Sequence, residues 1–468
     1  MTPNLKKQLV VAGALLLAAV VYQVAIRPNL AHRRVDARIE VLPGTNFEIS
    51  VDGAVLRIDR PEIFSLETNR VAPGDWSGAW SDRECWPGGT KSEPAAWALA
   101  PRYDDDGSLC LGGIYRQIVP GSVHLSSADG SKAFVEGEDF RVNYEWGFLA
   151  GIDGRLGSPG SAELRFKMKA GMQRLDLVQR AADGSVSVKK GVSRLVSPQL
   201  PEPDPGCRAV AGVYVAPWLH GSDPAAWALA VDDVNAIADD IRPPAPVNPE
   251  AVRNTLAKLR AGKAVSIAFI GDSITLGAEA GPWWRDDSAT WRGRFLRGLR
   301  ERFPNAEIKE IEAFQGGRGI AYGLEVLRDT VLPAKPDLAM VMVGVNDCHK
   351  SLSAAGPKTP PDAFAKHYDE LVRQLVDAGV EVIGMTSMQT NPFDANGDAA
   401  RWGDYLAVIR DTAIRHNTGL AETYERWMQL VFRGIPPHSQ LHNWINHPGS
   451  WGHKVFSDAA LEFFPATN

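Results

Sequence analysis

Cysteine is scarce: four residues in a chain of 468 cannot scaffold a fold. Cys85, Cys110, Cys207 and Cys348 show no C-x-x-C spacing, so neither a structural zinc site nor a disulfide framework has support. Positive charge is not in surplus either. Lys and Arg number 50 against 56 Asp and Glu, a net charge of −6, so no global field points to nucleic acid, an anionic membrane or another polyanion. Hydrophobic residues at 44% and charged residues at 23% sit near globular averages, which excludes wholesale disorder, collagen and a polytopic membrane protein. What is abundant is tryptophan, fourteen residues. These serve as core or as flat contacts for sugar rings.

One long apolar run exists. Lys6 and Lys7 precede an uncharged stretch from Gln8 to Ile26, which ends at Arg27. Its 19 residues can span a bilayer as a helix, which needs about 20. No small-x-small cleavage site and no lipid-accepting cysteine follow it. The sequence therefore predicts a signal anchor in residues 1–30, with a cleaved signal peptide as the second reading and a buried core helix as the third. Either of the first two exports the body to the periplasm or beyond, anchored by residues 8–26 if the segment is retained. Export permits a disulfide, with Cys85 and Cys110 the first pair to try; the alternative is four buried thiols.

From 38 to 241 turn signals recur at short intervals, among them Pro43-Gly44, Asp52-Gly53, Asp129-Gly130 and Asp183-Gly184. Short β-leaning runs lie between them, which predicts an all-β sandwich or jelly roll. Ala95–Ala100 and Asp232–Ala238 are expected as helical excursions. A proline-rich stretch at 242–249 then reads as a linker. From 250 to 468 apolar strands alternate with amphipathic helices, which predicts a parallel α/β sheet covered on both faces. In such sheets ligands bind beyond the carboxyl ends of the strands.

Those ends carry chemistry. Gly271-Asp272-Ser273 follows the first strand, Gln315-Gly316-Gly317-Arg318-Gly319 the second and Gly344-Val345-Asn346-Asp347 the third; Asn446-His447-Pro448-Gly449 precedes the last helix. A hydroxyl, a base and hydrogen-bond donors at one sheet edge are what acyl transfer requires.

In these blocks, from about Val265 to about Phe463, the chain resembles the GDSL or SGNH hydrolases, a family of esterases and deacetylases. The resemblance implies a flavodoxin-like three-layer α/β fold and an acyl-enzyme mechanism. It implies Ser273 as nucleophile and His447 as base, with the Ser273 and Gly317 amides and the Asn346 side chain as the oxyanion hole. The family usually places an aspartate three residues before the histidine, where this chain has Trp444. Asn443 and Asn446 are the nearby polar residues, so a Ser-His dyad with the imidazole held by a carbonyl oxygen is expected. Certain two-domain carbohydrate esterases with a preceding β-sandwich share this layout and lack the acid.

The expected function is thus an exported serine esterase releasing acetyl or another short acyl group from a polysaccharide or small-molecule ester. An O-acyltransferase, a lipase or thioesterase, and a non-catalytic glycan-binding protein are the alternatives. Trp283 and Trp284 are candidates to line the substrate site, while Trp76–Trp86 and Tyr144–Gly147 are either saccharide platforms or packing. The chemistry needs no cofactor and no metal, and no nucleic-acid partner is expected. His349, His438 and His442 are expected as bystanders and His453 as structural.

Overall fold

The computed structural model describes residues 33–42, 47–68, 97–98, 117–144, 148–152, 155–156, 164–217, 231–280, 286–349, 357–391 and 401–466. The apolar segment 8–26, Trp76–Trp86, Trp146, the Cys85–Cys110 pair, Trp283 and Trp284 lie outside them. No helix among the described residues is long and apolar enough to cross a membrane. Cys207 is a half-buried free thiol and Cys348 is buried.

The N-terminal region is β-rich and antiparallel among the described residues, as the turn spacing predicts, in four small sheets. β1 (Ile39–Val41), β2 (Glu48–Val51) and β3 (Ala54–Arg57) form a meander. β4 (Ile63–Thr68) pairs with β10 (Leu164–Gly171), and β5 (Trp97–Ala98) joins β8 (Phe140–Asn143) and β9 (Phe148–Gly151). Beside β10 lie β6 (His124–Ser127) and then β7 (Ala133–Phe134). The fourth sheet, in the order β12-β11-β13-β14, consists of β11 (Arg174–Arg180), β12 (Val186–Lys189), β13 (Arg208–Val215) and β14 (Val231–Ala236).

Two expected helices are strands instead. Trp97–Ala98 pairs with β9 and Val231–Ala236 pairs with β13. In the second case the unpaired edge of β13 offers backbone partners that outweigh local propensity, which a tertiary context commonly does. The fourth sheet is the most buried: Leu175, Leu177 and Val178 on β11, and Ala211, Val213, Tyr214 and Val215 on β13, have no exposed surface.

The proline-rich stretch is no free tether. Val247 exchanges backbone hydrogen bonds with Leu420 in both directions at 3.0 Å, and the carbonyls of Arg242 and Pro244 accept from Gln429 and Arg426. Beyond it the alternation predicted from sequence holds. α1 (Arg253–Arg260) leads into β15 (Val265–Gly271), and α2 (Ser273–Leu276) and α3 (Trp291–Arg302) into β16 (Ile308–Phe314). α4 (Ile320–Val326) precedes β17 (Leu338–Met342), and α5 (Val345–Cys348) and α6 (Pro361–Asp377) precede β18 (Glu381–Met385). α7 (Trp402–His416), a short edge strand β19 (Gly419–Ala421), α8 (Thr423–Met428) and α9 (Ser450–Leu461) complete it.

The five strands are parallel in the order β16-β15-β17-β18-β19. Counted within the sheet that is 2-1-3-4-5, the flavodoxin-like order, whose crevice opens where the first and third strands diverge. β15 and β17 are buried on both faces, which is why they read as continuous apolar runs.

The two regions meet along a tight seam. Gly212 on β13 crosses Gly434 so closely that a Cβ on Gly212 would stand 1.9 Å from the Gly434 carbonyl oxygen. Only glycine fits there. The edge of Tyr214 meets the ring of His438 at 5.6 Å, and Leu175, Val196, Tyr214 and Ala216 enclose the fully buried Trp444.

Candidate active site

Ser273 is the first residue of α2, at the carboxyl end of β15. The turn is tight through close approach and not through an unusual φ: a Cβ on Gly271 would lie 2.0 Å from Thr275 Oγ1. Asp272 caps the helix, its Oδ1 accepting from the Ile274 amide at 2.9 Å. At the last loop, Nε2 of His447 lies 2.7 Å from the Ser273 hydroxyl oxygen. Burial, with His349 as a second cause, pushes the imidazole down to about 3. It is therefore neutral at physiological pH and ready to accept the hydroxyl proton.

The expected oxyanion groups gather at the same edge. Gly317 holds φ +73°, the left-handed region open to glycine, and a Cβ on neighbouring Gly316 would stand 3.8 Å from the Ser273 Cβ. Asn346, on α5 after β17, turns its amide nitrogen to Asp272 Oδ2 at 3.3 Å and the Arg318 carbonyl at 3.1 Å. In this unliganded arrangement both protons of the Asn346 amide are engaged. The long bond to Asp272 is the weaker one, and an incoming oxyanion competes for that proton.

The expected holder of the imidazole is corrected. Nδ1 of His447 is buried and, among the described residues, has no hydrogen-bond partner, neither carboxylate nor carbonyl. Asn443 does not reach the ring: its Oδ1 accepts from the backbone amides of Ile445, Asn446 and His447 at 3.0, 3.0 and 2.8 Å. Asn446 Oδ1 is taken by the Asn443 amide at 3.1 Å. Both asparagines build the loop, because a side chain one to four residues away satisfies turn amides more readily than it reaches out to a ring. His442 donates its backbone amide to the His447 carbonyl at 2.7 Å. Asn391 holds the same loop from the β18 side, its Nδ2 on the Trp444 carbonyl at 2.7 Å and its amide on the Ile445 carbonyl at 2.8 Å. Trp444 itself turns to the β-rich region, at φ +61°.

Three groups near the site were not singled out by the sequence. Asp347 receives the Ile320 amide on both carboxylate oxygens at 3.1 Å and so ties the third block to the second; a Cβ on Gly319 would meet it at 2.5 Å. Asp272, fully buried, is pushed up to about 7 by desolvation, which keeps negative charge low beside the place where an oxyanion forms. The third, His349, expected as a bystander, is held at about 4 by burial and, among the described residues, has no partner on Nε2. Asp272 and Asp347 are adjacent in sequence to motif residues, which was the available signal. His453 is structural as expected, its Nδ1 accepting from the Trp291 amide at 3.2 Å and its Nε2 facing the Ala278 carbonyl. Among the described residues no cluster of three or more His, Cys, Asp or Glu is placed to hold a metal.

Residues 269–455 match the family of GDSL-like lipases and acylhydrolases. This part of the chain is a GDSL-like acylhydrolase domain. Solved structures similar to it include an α/β-hydrolase enzyme from the metagenome of Lake Arreo in Spain, 23% identical, covering 44% of this chain and 96% of that one at a TM-score of 0.38. The acetylxylan esterase of Geobacillus stearothermophilus is 20% identical over 44% of this chain and 96% of its own, also at 0.38. A two-domain esterase active on acetylated mannans, solved with mannopentaose, is 19% identical over 46% of this chain and 52% of its own at 0.36. No curated protein matches the chain. The acylhydrolase domain begins within β15 and ends within α9, so the described blocks all fall inside it.

Proposed function

We propose that the protein is an exported serine esterase that releases a short acyl group, acetyl foremost, from a carbohydrate. The observation that carries the reading is the 2.7 Å contact between Ser273 Oγ and His447 Nε2. His447 accepts the hydroxyl proton as Ser273 attacks the ester carbonyl, and the developing oxyanion takes hydrogen bonds from the Ser273 and Gly317 amides and from Asn346. Collapse expels the alkoxide, to which His447 returns the proton, and water repeats the sequence to free the acid. Among the described residues no group meets Nδ1, which supports reading Ser273 and His447 as a dyad.

A carbohydrate leaving group is supported by the cleft beside the His447 loop, lined by Ser197, Gln199, Gln440 and Ser450. Hydroxyls and amides of this kind match sugar hydroxyls better than an aliphatic chain. The test is a panel of aryl esters of increasing acyl length alongside acetylated polysaccharides, with Ser273→Ala as the control. Turnover should be greatest for acetyl and absent in Ser273→Ala. Preference for long acyl chains would favour a lipase, and activity retained in Ser273→Ala would sink the assignment.

A further inference from the structure

The cleft just mentioned has a second property, which rests on the carbohydrate reading and sharpens it. It measures about 270 Å3 and lies on the seam, with Arg194, Ser197 and Gln199 contributed by the β-rich region and Arg294, Gln440, His442, Trp451 and Lys454 by the acylhydrolase domain. Among the described residues three cations line it and no carboxylate does. The Lys454 ammonium is shared with Asp458. Arg194 and Arg294, in contrast, have no ion-pair partner among the described residues. Arg294 is partly buried, and desolvation lowers its pKa; its Nε donates to the Ala289 carbonyl at 2.9 Å and one terminal nitrogen donates to Ser450 Oγ at 2.8 Å. The Asp458 carboxylate offsets this only in part, acting on Arg294 through space without an ion pair, and an anion in the cleft would complete the half-desolvated guanidinium.

The place of the cleft relative to the chemistry is fixed by the chain. Gly449 forms part of its wall, where a Cβ would come within 3.0 Å of His442 Nδ1 and 3.3 Å of Ser197 Oγ. Gly449 is two residues beyond His447, so their Cα atoms are at most about 7.6 Å apart. A sugar in the cleft therefore lies against the loop that carries His447. Gln199 and Gln440 supply amides for ring hydroxyls, and Trp451 supplies an aromatic wall. Guanidinium groups match carboxylates in a planar, two-pronged manner.

We propose that this seam cleft is a subsite for a uronate residue, so that the substrate is an acylated polysaccharide carrying carboxylates. Net charge does not speak against it: at −6 the protein lacks long-range steering for a polyanion, and the contact is local, made by both regions together.

The experiment measures binding of tetragalacturonate and of neutral xylotetraose to the full chain carrying Ser273→Ala, at low and at 200 mM salt, with sodium sulfate as competitor. The uronate should bind at least ten-fold more tightly than the neutral sugar and weaken with salt. Arg194→Ala combined with Lys454→Ala should remove most of that preference while leaving xylotetraose affinity in place. Equal affinity for the two sugars in the Ser273→Ala chain with its cleft otherwise unsubstituted would overturn the proposal. Sulfate displacing the uronate at equal concentration would reduce the cleft to a simple anion site and overturn the sugar subsite. Acetyl release from neutral acetylated xylan without uronate preference would sink the subsite and leave the esterase standing. Uronate preference with no acetyl release from any polysaccharide by the unsubstituted enzyme would do the reverse.

Discussion

Replacing Trp444 by Asp puts the family's usual residue back at the position where this chain departs from it, and the geometry predicts failure. The Trp444 side chain is fully buried among Leu175, Val196, Tyr214 and Ala216. A carboxylate there enters an apolar seam and cannot meet the His447 imidazole. Loss of a buried tryptophan costs about 3–5 kcal/mol through transfer and cavity terms, and the unpaired charge adds to it. At roughly 2 °C per kcal/mol for a large domain, the melting temperature should fall by about 6–10 °C or more. Trp444→Phe keeps most of the packing and should lose less than half as much. Because Asn391 and Asn443 still hold the loop backbone, the His447 ring should be displaced and not unfolded. A displacement near 1 Å lowers turnover of 4-nitrophenyl acetate by about 100-fold. Calorimetry and initial rates on the same preparations test both parts. Trp444→Asp with unchanged melting temperature and raised turnover would refute the reasoning, since it would mean that the side chain faces the imidazole.

Asn346→Ala should lower turnover by about 100-fold or more with little change in KM, the loss typical of one oxyanion donor; steady-state kinetics decide it, and an unchanged rate removes Asn346 from the site. Asn443→Ala orphans three loop amides and should cost about 2–4 kcal/mol of stability on the scale of buried unsatisfied groups, with a parallel fall in turnover; calorimetry and initial rates on the variant check this. His438, held at about 4 by burial, is neutral in the fold while its unfolded counterpart takes a proton near 6.5. Its contribution to stability is therefore present above about 6.5 and is lost as pH falls towards 4. Melting temperatures between pH 7 and 4 should decline less steeply in His438→Gln than in the parent, and equal slopes would contradict the assignment.

Much of the acylhydrolase domain was legible because its signals are long and local. β15 and β17 are unbroken apolar runs, α3 and α6 have clear amphipathic faces, and each motif follows a strand. Hence the motifs that carry Ser273, Gly317, Asn346 and His447 are legible in the sequence as neighbours at one sheet edge. What surrounds His447 was not legible. Asn443 and Asn446 looked like partners for the ring because they are near in sequence, but which turn amides they satisfy depends on the loop's path. That path is set by contacts with Asn391 and with β11 and β13, up to some 270 residues away in the sequence. β14 was misread for a related reason: Val231–Ala236 is a strand through its pairing with β13, a partner that its own composition does not announce.

The Trp444 seam also has a consequence for how the chain is made. Leu175, Val196, Tyr214 and Ala216 leave the ribosome long before the residue that covers them, since 444 − 216 is 228 residues. At about 5–20 residues per second, that apolar face waits roughly 11–46 s for its lid. During this interval the β-rich region presents a greasy surface to the cell, and a holding chaperone has a natural place to bind. A stop codon introduced before Trp444 would leave the face bare permanently, so truncated chains should be recovered with chaperones or in aggregates rather than as free β-rich fragments.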